Sequence, residues 1–257
     1  MATIKGGPGI GIVEIEGVIT DSEPALKVIR DFRQREDVKA VVVRINSPGG
    51  AVGASQEIYS ALKALDKKKP VVASMESVAA SGGYYVAIGA RKIVANPGTI
   101  TGSIGVIMKV PNIGPLLEKL GVKTQVLKSG AYKDLGSMTR DMTQAEREVV
   151  EGVLKDVHQK FMEDVSQARS IPLDRLTSLA QGQIFSGREA KEVGLVDELG
   201  NFDTAIEMAQ RLSHLKGEPR LIYPEKGRLK VLRELLEEEA ATTIKNILER
   251  VAIDYAS

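Results

Sequence analysis

The chain has 257 residues, 43% of them hydrophobic and 27% charged, enough for one large α/β domain or two small ones with a full core. Thirty-five basic residues nearly balance thirty-four acidic ones, so the net charge of +1 carries no signature of nucleic-acid or acidic-substrate binding. Cysteine is absent, which excludes disulfides, thiolate chemistry and cysteine-based metal sites and is compatible with an oxidising compartment.

Residues 1–9 combine three glycines with a proline and read as a flexible end. They contain neither a basic region followed by an apolar run nor an Ala-x-Ala site. No stretch reaches the roughly 20 apolar residues of a membrane span, so the chain itself reads as soluble.

Through the first half, β-branched runs alternate with helix-period segments, the pattern of parallel β/α layering. Ile10 to Ile19 reads as a strand or a pair of strands, and Pro24 to Arg35 as a helix opened by the cap-like pair Asp21-Ser22. Lys39 to Ile45 is a buried strand, broken at Asn46-Ser-Pro-Gly-Gly50 before a helix from about Ser55 to Leu65. Val71 to Met75 is the next strand, followed by Ser77-Val-Ala-Ala-Ser81-Gly-Gly-Tyr-Tyr-Val-Ala87 and a helix through Ala90. Lys92 to Ala95, Gly105 to Met108 and Lys123 to Leu127 are expected as strands, with a helix over Ile113 to Leu120.

The second half is expected to be mainly helical. Thr143 to Arg169 opens on the capping box Thr143-x-x-Glu146 and carries apolar positions at Val149, Val150, Val153, Leu154 and Val157. Leu173 to Gln181, Gly187 to Glu192 and Phe202 to Leu212 are further helices. The segment 10–224 is thus expected as one domain and 225–257 as a helical extension, its stretch from Arg228 to Ile253 alternating charge with Leu, Val and Ile.

Ser81 is the first candidate for chemistry. A strand running into Ala79-Ala-Ser-Gly-Gly83 and then a helix is the geometry that exposes a hydroxyl at a helix N-terminus, although Ala79 stands where a Gly-x-Ser-x-Gly elbow has its first glycine. A serine needs a base, and the two histidines, His158 and His214, lie in charged helical segments of the second half. A lysine is the remaining kind of base, and such an amine must be desolvated before it is free at neutral pH. Lys133, in Lys128-Ser-Gly-Ala-Tyr-Lys-Asp134, follows an expected strand in a glycine and aromatic context.

Asn46-Ser-Pro-Gly-Gly50 reads either as a tight turn or as a source of backbone N–H groups, in which case Gly50 and Gly82 could form an oxyanion hole. Thr101-Gly-Ser103-Ile-Gly105 is a turn or a supplier of hydroxyls to the site. No glycine cluster matches a phosphate-binding fingerprint and no His/Asp/Glu grouping has metal-ligand spacing, so neither cofactor nor metal is expected.

Together with Gly194-Leu-Val-Asp-Glu-Leu-Gly200, these motifs resemble, in order, those of the signal peptide peptidase A family in its short, single-domain form. That family comprises Ser/Lys proteases of the Clp protease and crotonase superfamily. The resemblance covers about Gly11 to Leu212. It implies an α/β, Clp protease/crotonase-like fold of repeated β/α units with a helical C-terminal region. It further implies Ser81 as nucleophile, Lys133 as general base 52 residues later, Ser103 as the hydroxyl orienting the lysine, and Gly50 and Gly82 as the oxyanion hole. The implied substrates are extended, apolar peptides such as remnant signal peptides. The implied assembly is an octameric homo-oligomer ring with sites shared between subunits, with no nucleic-acid partner. Family resemblance also implies a catalytic domain on the outer side of the cytoplasmic membrane, held by an anchor absent from this sequence, which is expected to have been trimmed. The same fold houses crotonase-like acyl-CoA hydratases and isomerases, and a non-catalytic, ring-forming peptide-binding scaffold is a further alternative.

Overall fold

The computed structural model describes residues 7–224, so the expectations for residues 1–6 and for the tail at 225–257 lie outside the described residues. The chain divides into two compact units, 1–222 and 223–257, and every described element belongs to the first. Strands β1 (Gly9–Ile19), β2 (Val38–Gly50) and β3 (Val71–Ala80) alternate with helices α1 (Glu23–Gln34), α2 (Val52–Asp66) and α3 (Gly82–Ala87). They are followed by β4 (Lys92–Ala95), β5 (Ile100–Gly102), α4 (Gly114–Lys119), α5 (Gln144–Arg169) and α6 (Leu173–Leu179). The unit finishes with β6 (Ile184–Ser186), α7 (Gly187–Glu192), β7 (Glu198–Leu199), α8 (Phe202–Ser213) and β8 (Arg220–Ile222).

The sheet runs β6-β5-β3-β2-β1-β8, with β4 beside the first half of β3 and β7 beside β4. All pairings are parallel except β5 with β6. Side chains alternate across it with the period of two that a strand imposes. Ile10, Ile12, Ala40, Val42 and Val72 face Ala205, Met208 and Ala209 of α8, whereas Val13, Val41, Val43, Ala73 and Met75 join the larger core on the opposite face. The near-continuous apolar runs in the sequence follow from this burial on both faces. The expected α/β fold of repeated β/α units is therefore the observed one.

Several local expectations need correction. Asn46–Gly50 does not break β2: the strand continues through it, with Gly49 and Gly50 paired to Val18 and Ile19 after a register shift. β3 likewise extends past Met75 to Ala80, because its second half finds a partner in β5. Gly105–Met108 and Lys123–Leu127 are not strands, and Ile107 and Leu127 are exposed. β-branched residues favour a strand only where a ladder partner exists. Ser22 sits at the N-cap of α1 but donates its hydroxyl to Glu57 on α2, while the Asp21 carboxylate accepts from Glu23 N–H at 3.0 Å.

The capping box of α5 forms as expected, Thr143 accepting from Glu146 N–H and the Glu146 carboxylate accepting from Thr143 N–H. Arg140 adds hydrogen bonds to both Glu146 oxygens and holds that carboxyl down at about 2. Its first turn buries Glu146, and its C-terminal half packs into the core through Phe161, Asp164 and Val165. Of the apolar positions noted in the sequence, Val149 and Val153 are exposed in the single chain, whereas Val150, Leu154 and Val157 are half-buried. Among the described residues no helix is long and apolar enough to cross a membrane.

At the other end of the sheet, Asp37 precedes β2 and accepts hydrogen bonds from Arg35 and from Arg220 of β8. The Arg35 guanidinium is the main reason that the Asp37 carboxyl is lowered from its ordinary 3.8 to about 2. A depressed acid stabilises the folded chain above its unfolded value, and that contribution disappears as the pH falls from about 4 towards 2. Asp37→Asn is expected to lower stability at pH 7 by about 1 kcal/mol or less, since the carboxylate is partly exposed. Urea melts at pH 7 and pH 2.5 check this: the gap between the two proteins should narrow in acid, and a constant gap would contradict it.

Candidate active site

β3 ends at Ala80 and α3 begins at Gly82, leaving Ser81 alone to turn the chain from strand to helix. It does so at φ 53° and ψ −119°. For a residue with a side chain this left-handed conformation costs roughly 1–3 kcal/mol, and surrounding contacts must enforce it. Ser81 N–H donates to Gly102 O of β5 at 2.8 Å, and Ser81 O accepts from Tyr85 N–H at 2.9 Å. The two hydrogen bonds fix the residue from its sheet side and its helix side.

The end of β2 presses against this turn. A Cβ on Gly49, whose φ is +103°, would lie 2.6 Å from Gly82 N and 2.9 Å from Ser81 Cβ. One on Gly82 would lie 2.4 Å from Ser55 Oγ and 3.1 Å from Gly50 N. Only glycine permits so close an approach, and its result is that the backbone nitrogens of Gly50 and Gly82 stand near one another beside Ser81. Ser47, fully buried, accepts from Gly49 N–H at 3.1 Å and braces the same turn from below.

Tyr84 and Tyr85 anchor α3 into the core. Tyr84 donates its hydroxyl to Leu195 O at 2.9 Å, and Tyr85 donates to Asp164 on α5. Burial is the main cause that pushes both phenols above their usual range, so they remain protonated donors. Lys160 pairs with the other Asp164 oxygen at 2.7 Å. The Tyr85 ring stacks on Phe161 at 4.4 Å and meets Tyr59 edge-on at 5.3 Å. The serine turn, α2 and α5 are thereby locked together.

A cavity of about 20 Å³ opens beside Ser81, Gly50 and Gly82, which accordingly come together as the sequence led us to expect. Its remaining wall includes Val52, Ser55, Tyr85, Val157 and Phe161. Sequence reasoning missed these five as site residues. The i,i+4 spacing of Val157 and Phe161 puts them on one helix face, but which face meets the serine is a property of tertiary packing. Ser103 follows β5 directly at φ 51°, its N–H donating to Gln183 O at 2.8 Å. It is thus one residue beyond the Gly102 carbonyl that holds Ser81 N–H.

Lys133 stands elsewhere. It lies in a turn, its N–H donating to Gly130 O at 3.1 Å; its side chain is exposed and does not line the Ser81 cavity. The neighbouring Asp134 is taken by Lys128 at 2.6 Å and by Arg140 at 2.9 Å. Within one chain the structure does not bring Lys133 to Ser81. A half-buried serine on a strained turn, opening on a cavity beside clustered amides, can attack a carbonyl and place the resulting oxyanion near N–H donors.

The family model for peptidase family S49 matches residues 63–216, and that for Clp protease matches residues 19–99. A protein of Synechocystis sp. whose name suggests a protease is 41% identical over 208 residues, covering 80% of this chain and 75% of its own. The chloroplastic serine protease SPPA of Arabidopsis thaliana is 36% identical over 220 residues, which is 84% of this chain and 32% of that protein. An Enterococcus faecium protein whose name suggests signal peptide peptidase SppA is 35% identical over 187 residues, 72% of this chain and 54% of that one. This chain therefore spans from about a third to three quarters of these relatives. With a matching family model over more than half its length, the chain belongs to peptidase family S49 and, with its relatives, to the serine proteases.

Proposed function

We propose that the chain hydrolyses extended, apolar peptides with Ser81 as nucleophile and Lys133 as base. The observation that carries this reading is the strained Ser81 turn packed under the amides of Gly50 and Gly82. Lys133 Nζ takes the Ser81 proton as Oγ bonds to the scissile carbonyl carbon, and the oxyanion is held by Gly50 and Gly82 N–H. The proton passes to the leaving amine as the C–N bond breaks. Water then loses a proton to the lysine, attacks the acyl-enzyme, and Ser81 recovers its hydrogen. Ser103 would orient the amine. Remnant signal peptides are the substrates we favour, in keeping with the name of the Enterococcus relative.

Because Lys133 is exposed and away from the cavity, the site is completed by a second copy of the chain in a homo-oligomeric ring, which we take to be an octamer. Such docking would also remove water from the amine, which a lysine base requires. Apolar side chains left exposed on α5 and before it, among them Ile107, Leu116, Leu120, Leu127 and Val153, support this assembly.

Ser81→Ala and Lys133→Ala should each reduce cleavage of an apolar reporter peptide by about 10⁴-fold or more while leaving the circular dichroism spectrum unchanged. Appreciable turnover by either would refute its role. Mixed assemblies of the two inactive variants should regain part of the activity, because some sites then combine an intact serine with an intact lysine. No recovery in verified mixed rings would place both residues in one chain. Gly49→Ala should suppress fluorophosphonate labelling of Ser81, since its Cβ would intrude on Gly82 N; labelling at the unaltered rate would show that the glycine contact does not shape the site.

A further inference from the structure

Lys133 is followed directly by Asp134, so the amine assigned as base has a carboxylate for its neighbour in sequence. A nearby opposite charge favours the ammonium form, which cannot accept a proton. In the folded chain, however, this carboxylate is fully engaged elsewhere. Its side chain is only 14% exposed, with Oδ1 accepting from Lys128 Nζ at 2.6 Å and Oδ2 from Arg140 Nε at 3.0 Å. Lys128 is steadied by a further hydrogen bond to Ala131 O at 3.0 Å. Arg140 reaches on to both oxygens of Glu146, at 2.8 and 2.5 Å, and Glu146 accepts from Thr143 N–H at the N-cap of α5. Two cations and two carboxylates thus form a neutral cluster between the lysine turn and the first turn of α5. Among the described residues Lys133 itself has no ion-pair partner.

Lys128 first, and then Arg140, hold the Asp134 carboxyl below the ordinary carboxylate range, so it is charged at any pH at which the amine could be free. Further out, Glu118 of α4 and Lys123 line the groove beside Asp134, and Asp141, Arg147 and Glu151 the one beside Arg140. Both signs occur in each groove, so the two cations in contact with Asp134 dominate its surroundings. We propose that Lys128 and Arg140 are positioning residues for the base: through Asp134 they fasten the Lys133 turn to the N-terminus of α5, and by occupying both carboxylate oxygens they keep Asp134 from pairing with Lys133. This rests on Lys133 as the base. Because Lys133 and Asp134 are adjacent in the chain, the cluster accompanies the amine wherever a second copy docks.

The test is the pH dependence of kcat/KM for an apolar reporter peptide, measured on the full chain in its assembled form at low ionic strength. The rate should rise with pH as the amine loses its proton. Arg140→Gln leaves the cluster with one excess negative charge and should move the rising limb to higher pH by about 0.5. Asp134→Asn leaves one excess positive charge and should move it to lower pH by a similar amount. The two changes combined restore neutrality and should return the limb towards its original position. Arg140 also secures the α5 cap, and its loss could prevent folding. Lys128→Met therefore provides a second reading, since the hydrogen bonds of Lys128 stay within its own turn, and it should shift the limb to higher pH as well. A cluster with only a structural role would lower activity or stability without opposite shifts. Shifts in a single direction, or none, in folded and assembled variants would overturn the proposal. If Lys133→Ala retains turnover, the base assignment fails instead and this inference with it.

Discussion

The contact between the glycines ending β2 and the turn ending β3 is the constraint on which the rest of this molecule depends. Both strands are parallel and adjacent, so their C-terminal ends emerge side by side, and the chain leaves each into a helix. Gly49 and Gly82 lack the carbon atoms that would hold these ends apart. Ser81 is consequently held at a positive φ that an isolated peptide would avoid, and its hydroxyl is presented where the sheet stops. Ligands of open parallel sheets bind outside the carboxyl ends of the strands for the same reason. Strain of this kind persists only when neighbours over-determine it. Here the neighbours are the Gly102 carbonyl, the buried Ser47 hydroxyl, and the two tyrosines rooted in Leu195 and Asp164.

Helix α5 has two distinct halves. Its C-terminal half belongs to the core and, through Phe161 and Asp164, reaches Tyr85 of α3. Its N-terminal half is secured by the capping box and by Arg140 yet leaves Val149 and Val153 exposed. One element thus lines the cavity beside Ser81 through Val157 and Phe161 and leaves apolar side chains exposed nearer its N-terminus.

Much of this was legible in the sequence because it depends on local or periodic signals. The buried strands over Ile10–Ile19 and Lys39–Ile45 declare themselves by β-branched runs, and α5 by Thr143 with Glu146 three positions later. Errors fell where the outcome depended on a distant partner. Asn46–Gly50 has the composition of a turn but is held extended by Val18 and Ile19, whereas Lys123–Leu127 has the composition of a strand and pairs with nothing among the described residues. Short β6, β7 and β8 were not anticipated, since two or three residues carry no periodicity and acquire their form from the strands they join.

For the site, the residue types and their order along the chain singled out Ser81, Gly50 and Gly82, which the structure brings together, because a serine on a strand-to-helix turn and a close backbone approach both demand particular amino acids. That much the sequence by itself determined, together with the layered α/β class and the family. Tertiary structure alone decided that Tyr85, Val157 and Phe161 would wall a cavity of about 20 Å³ beside the serine, and that Lys133 would lie outside it. Side-chain identity fixes what a residue can do chemically. Which groups converge in space depends on how helices separated by tens of residues pack against the sheet, and no local pattern encodes that distance.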